Sequence, residues 1–129
     1  MNLQVLPPME CTFSIKVTGS ETGQLFEGAF TYKRPNLRTR TNIDKQKAIL
    51  DAGIPNLDEE TKLFHEILSK LKYTIINAPD WWVKSDGGLD LYDLNVVLEI
   101  NAKTNEFEKE WKDKVYLGEK KNEPAGESK

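Results

Sequence analysis

The chain has one cysteine and one histidine in 129 residues, and that scarcity closes several routes to chemistry at once. A lone Cys11 cannot form an internal disulfide, and such cysteine usage points to a reducing, intracellular compartment. With His65 alone, neither an HExxH pair nor a Cys/His cluster exists, so a zinc centre of the usual kind is excluded. A serine or cysteine triad built on His65 would need a nucleophile elbow, and none accompanies it; His65 reads as a helix-surface or boundary residue. Gly19, Gly23 and Gly28 match neither a P-loop nor the dinucleotide fingerprint. The stretch Ser85-Asp86-Gly87-Gly88-Leu89-Asp90 lacks the alternating acids and the distant Glu of a calcium loop. Neither a cofactor, a metal nor an active site is therefore expected.

Long apolar runs are also missing. No stretch approaches the roughly 20 residues that span a bilayer, and residues 1–10 lack the basic and apolar regions of a secretory leader. No membrane contact is expected. Net charge is −3, so no global field draws the chain to nucleic acid. A hydrophobic fraction of 38% against 30% charged residues nevertheless suits a folded domain over a disordered chain.

What is present is periodicity. Phe13, Ile15 and Val17 alternate with Thr12, Ser14, Lys16 and Thr18, then Gly19 to Gly23 offers turn chemistry. Alternation resumes with Phe26, Gly28, Phe30 and Tyr32, and Pro35 closes the second strand. A β-hairpin with one apolar face follows, which is marginal alone and must pack on helices. A short helix is expected over residues 44–52, ended by Gly53 and Pro55. Asn56 and Glu59 stand three apart as an N-cap and its reciprocal partner. From there Leu63, Phe64, Ile67, Leu68, Leu71 and Ile75 recur at helical spacing, with Asp58–Lys62 and Glu66–Lys70 as i,i+4 pairs on the other face. After a loop at 80–90, Asp90 would cap a second long helix over 91–116, with Asp93 in its first turn. Its stripe is Leu94, Val97, Ile100, Thr104, Phe107, Trp111 and Val115. Thr104 interrupts that stripe and marks a bend or a partner contact. Gly118 would end the helix and residues 119–129 would be a flexible polar tail. The expected fold is α+β: an N-terminal antiparallel hairpin packed on two long amphipathic helices plus a short helix, one domain over 1–118.

Two features stand out from this frame. All three arginines, Arg34, Arg38 and Arg40, fall in residues 33–47 with Lys33, Lys45 and Lys47, opposed there only by Asp44. The segment reads as a solvated linker, as a dock for an acidic protein surface, or as a phosphate-backbone contact. Nucleic acid is the weakest of these, because Tyr32 is the only local stacking candidate. The second feature is Trp81-Trp82 behind Pro79. Adjacent loop residues do not readily share one core, so one would pack over the helix end and the other stay partly exposed as a binding anchor.

Four segments in order, Thr18-Gly19…Thr22-Gly23…Phe26-Glu27-Gly28-Ala29-Phe30, the amphipathic helix, Ala78-Pro79-Asp80-Trp81-Trp82, and Gly88-Leu89-Asp90-Leu91…Asp93-Leu94-Asn95-Val96-Val97, carry a resemblance. The chain is similar over roughly 12–111 to tail assembly chaperones of tailed bacteriophages. The resemblance implies a non-enzymatic protein of the host cytoplasm that shields the apolar helices of a tape-measure protein and recruits tail-tube subunits. It carries over no active residue; Trp81 and Trp82 match the family-like aromatic pair. The expected partner-binding residues are thus Trp81, Trp82, Arg34, Arg38 and Arg40. Alternatives are a structural virion subunit (tail, neck or capsid decoration) and a nucleic-acid-binding module using 33–47. A two-stranded sheet exposes both edges, which invites self-association or pairing with a partner strand.

Overall fold

The computed structural model describes residues 6–121, with side chains to residue 117. Strands β1 (Glu10–Thr18) and β2 (Leu25–Lys33) form the expected antiparallel hairpin in continuous register, Phe13 opposite Phe30 and Val17 opposite Phe26. The odd-numbered side chains of β1 and the even-numbered ones of β2 share the inner face. Ile15, Phe26, Phe30 and Tyr32 are buried there, with Phe13 stacked on Phe30 at 5.6 Å between ring centres. The α+β architecture with an N-terminal hairpin is as the periodicity indicates.

The hairpin is followed by α1 (Leu37–Asp51), α2 (Glu59–Thr74), β3 (Ile75–Asn77), α3 (Asp80–Lys84) and α4 (Leu94–Lys121). One apolar cluster joins the sheet to every helix but α1: the sheet residues, Ile67, Leu68 and Leu71 of α2, Trp82 of α3, and Val96, Val97 and Ile100 of α4. Burial of this set supplies the main driving force.

Several boundaries differ from expectation, each for a local reason. Helix α1 begins seven residues before position 44, because the Asn36 carboxamide oxygen accepts from the Thr39 backbone N–H at 2.8 Å and caps it. For α2 the cap is Asp58, accepting from Thr61 N–H at 2.7 Å, while Asn56 takes a left-handed turn at φ +54. Neither expected charge pair on α2 forms: Lys62 reaches Glu59 at 3.6 Å, and Lys70 turns inward. The helix stops at Thr74, and Ile75–Asn77 becomes a third strand on the far edge of β2, giving the order β1-β2-β3. Two successive β-branched isoleucines beside an unpaired strand edge favour extended backbone over a further helical turn. Residues 80–84 are a short helix, not loop. Helix α4 starts at Leu94 rather than 91 and continues through Gly118 to Lys121. A glycine weakens a helix by about 1 kcal/mol relative to alanine but ends it only where the chain turns left-handed. The remainder of the expected tail, and residues 1–5, lie outside the described residues.

Candidate partner-binding surface

The segments scattered at 18–30, 78–82 and 88–97 meet one another. The Asp93 carboxylate, fully buried ahead of α4, accepts from the backbone N–H groups of Glu21 (2.7 Å) and Thr22 (3.0 Å) and from the Thr22 hydroxyl (2.6 Å). These bonds hold its carboxyl below the usual range, the Thr22 hydroxyl first, against the opposing pull of desolvation. Asn95 completes the clamp, accepting from Ser20 N–H and donating to Thr18 O, each at 3.0 Å. Gly19 is required here by proximity: a Cβ would sit 2.3 Å from the Asp93 carboxylate. Asp93 was expected to serve the α4 dipole; it instead ties the tip of the hairpin to the start of the helix.

The tryptophan pair is built into the same body. Trp82 is 4% exposed, edge-on to Phe30 at 5.6 Å. Trp81 is half-buried, edge-on to Phe26 at 5.0 Å, and its indole N–H donates to Glu27 O at 2.9 Å. Both rings point to the sheet because residues 80–84 are helical, so that 81 and 82 diverge around one axis instead of alternating as in extended chain. Pro79 lies on Gly28, where a Cβ would meet its ring at 2.6 Å. Trp82 is therefore not an accessible anchor in this conformation, and Trp81 offers only its outer edge.

The arginines divide. Arg34 is drawn onto α4: its Nε donates to Glu108 Oε1 at 2.9 Å and its guanidinium stacks 3.6 Å above the Trp111 ring. The other oxygen of Glu108 accepts from Tyr32 OH at 2.6 Å, and burial followed by that carboxylate raises the phenol well above its ordinary pKa. Arg38 and Arg40 stay exposed in the first turns of α1, beside exposed Lys45, while Lys47 pairs with Asp51 at 3.0 Å. The structure brings Arg34 together with neither of the other two arginines.

His65 corrects its expected surface placement. It is buried at the α1–α2 contact, its Nδ1 2.7 Å from Asp51 Oδ1. The Asp51 carboxyl is held below its usual range by that hydrogen bond first, then by Lys47. Ser69, one turn along the same helix, is fully buried with an unpartnered hydroxyl; out of solvent, it has no access to a substrate. Among the described residues, no group of three or more His, Cys, Asp or Glu side chains is placed to hold a metal. Cys11 is half-buried at the start of β1, and burial and then Glu108 and Glu110 raise its thiol, which opposes nucleophilic behaviour.

Two of the surface concavities bring together elements far apart in the chain. One, about 450 Å³, lies between α1, α2 and α4, lined by Ile43, Leu63, Ile67, Lys70, Asn101 and Asn105 among others. In it Lys70 donates to Asn101 Oδ1, to Thr104 Oγ1 (3.0 Å) and to Asn105 Oδ1 (3.2 Å). Burial lowers its amine to about 8. The polar break at Thr104 is thus explained within the chain. The other concavity, about 300 Å³, runs between α2 and the 88–97 segment; its walls are Phe64, Leu68, Leu89, Leu91, Leu94 and Val97. Tyr92, 77% exposed, stands over it, and Glu21 and Glu60 form an acidic rim. Its signal in the sequence is Leu89, Leu91 and Tyr92 in a glycine-containing loop, a pattern that Asp90 as a helix cap accounts for equally well. No helix among the described residues is long and apolar enough to cross a membrane. No family model matches the sequence, and neither a curated protein nor a solved structure was found similar to it.

Proposed function

We propose that this chain is a non-enzymatic assembly protein acting through protein–protein contacts, in the manner of the phage tail assembly chaperones it resembles. The observation that supports the reading most is the apolar groove beside Tyr92. Its apolar walls, Phe64, Leu68, Leu89, Leu91, Leu94 and Val97, suit the apolar face of an amphipathic helix, which would present residues at i, i+3, i+4 and i+7. The acidic rim of Glu21 and Glu60 favours a helix flanked by lysine or arginine, chiefly by accelerating encounter and fixing orientation. A tape-measure protein, being a long series of apolar-striped helices, is a client of that description. The exposed arginines Arg38 and Arg40 lie on α1 and would serve as a secondary acidic-surface contact.

The test is titration of the full chain with synthetic amphipathic helices taken from phage tape-measure proteins. Leu89→Asp combined with Tyr92→Ala changes only exposed side chains and is expected to weaken binding by about tenfold or more. Binding unaffected by that double variant would reject the groove. A protein inventory of purified particles adds a second decision. Absence from particles together with recovery on the tape-measure protein in lysate supports the chaperone; stoichiometric presence in particles replaces it with a structural subunit.

A further inference from the structure

β1 is the outer strand of the sheet, and its inner row is less covered than that of β2. Cys11, Phe13 and Val17 are only half-buried, whereas Phe26, Phe30 and Tyr32 are buried. Among the described residues no strand lies on its free edge. The bonds Gly19 N–H to Gln24 O and Arg34 N–H to Met9 O close the two ends of the hairpin at Gly19 and Met9, the odd-numbered positions that flank β1. By the alternation of an antiparallel ladder, the odd residues of β1 face β2 and the backbone groups of Glu10, Thr12, Ser14, Lys16 and Thr18 point outward. Such an edge is a template for another strand, and among the described residues of β1 the only charged side chains on it are Glu10 and Lys16.

Charge selects what fits. Glu10 sits opposite Lys33 and Lys16 opposite Glu27 across the hairpin. Neither Glu10 nor Lys16 makes an ion pair within 4 Å inside the chain among the described residues. We infer that the outer edge of β1 pairs with β1 of a second copy, antiparallel and centred on Phe13, so that Glu10 of each copy faces Lys16 of the other. In that register the solvent face carries two four-strand rows, Lys33–Glu10–Lys16–Glu27, in which sign alternates at every step. The inner face sets Cys11 against Ile15 and Phe13 against Phe13, which covers the half-buried row and keeps the apolar faces of both sheets on one side. Registers centred on Glu10 or on Lys16 place like charges opposite one another and are disfavoured. This pairing uses a different surface from the groove and does not depend on the client proposed for it.

Sedimentation equilibrium of the full chain tests it. The expected result is a dimer in the micromolar range. Lys16→Glu sets Glu against Glu twice per dimer and should raise the dissociation constant by about tenfold. Glu10→Lys should do the same, and the double exchange Glu10→Lys/Lys16→Glu should return the constant to within about threefold of the original. Ser14→Pro removes one outward N–H without touching the β1–β2 ladder and should abolish dimerisation while near-ultraviolet circular dichroism stays unchanged. A monomer up to several hundred micromolar overturns the proposal. So does a dimer that is indifferent to Ser14→Pro, and one whose charge exchange fails to recover identifies a different register.

Discussion

The clamp at Asp93 and helix α1 are both polar features of one small chain, yet they are held in opposite ways. Around Asp93, buried acceptors meet donors from 71 and 72 residues earlier, and the carboxylate is fully buried at the start of a helix whose Val96 and Val97 belong to the core. Helix α1 buries no residue at all. Leu37 and Ile49 are 79% and 66% exposed, and α1 is tied to α2 by the Lys47–Asp51–His65 chain, with Ile43 beside Leu63 and Ile67 in the concavity between them. Polar groups specify a fold when apolar packing desolvates them; where packing is thin, they position an element without stabilising it much. The body should therefore unfold as a unit, and α1 should open locally.

The strongest way to break the comparison is Trp82→Ala. Loss of a buried indole from the shared cluster should cost about 3–5 kcal/mol in chemical denaturation, and every element should unfold earlier. An effect confined to residues 80–84 would show that α3 is peripheral. Next comes Asp93. Its folded-state carboxyl is depressed, so its contribution is present above the unfolded pKa near 4 and is lost as pH falls through the folded value. Asp51 acts in the same sense. Asp93→Asn should lower stability at pH 7 and flatten the acid limb of the thermal-midpoint profile; an unchanged limb would assign acid sensitivity elsewhere.

Arg34→Ala removes an ion pair whose side chains are 18% and 19% exposed, and the cation–π stack on Trp111. A loss of about 1–2 kcal/mol is expected, with Arg34→Lys recovering little because the planar fork and stack are gone. Equal behaviour of Lys and Arg would reduce this contact to simple charge. Asn36→Ala deletes the cap of α1 and should cost about 1 kcal/mol, read locally: hydrogen exchange accelerates through α1 and stays unchanged in α4. Uniform acceleration would mean that α1 is cooperative with the body. Smallest is Ser69→Ala, which removes a buried hydroxyl without a partner and should be neutral or stabilise by up to about 1 kcal/mol.

The hairpin and the cores of α2 and α4 were legible because burial on one face imprints a period of two or 3.6 on neighbouring residues. Caps were less so. Asn56 and Asp58 are both good cap residues, and which one serves depends on where the chain turns. The apolar spacing carries α2 through Ile75, whereas the chain is already extended there; the free edge of β2 that makes Ile75–Asn77 a strand is not encoded nearby. Of the site residues, Arg38 and Arg40 lie exposed as a solvated segment would, Arg34 and Trp82 do not, and the segment that walls the groove beside Tyr92 carries only the local signals of a loop and a helix cap.

By itself, the sequence determined the elements whose partners lie close along the chain: the alternation that makes the hairpin, the stripes that make α2 and α4, and the scarcity of Cys and His that closes most metal and disulfide chemistry. Only the tertiary structure decided the fate of the polar and aromatic side chains. Asp93 caps a distant turn, Thr104 receives Lys70, His65 is buried on Asp51, and both tryptophans face the sheet. Each of those outcomes depends on desolvation by residues far away in sequence, and local spacing carries no record of it.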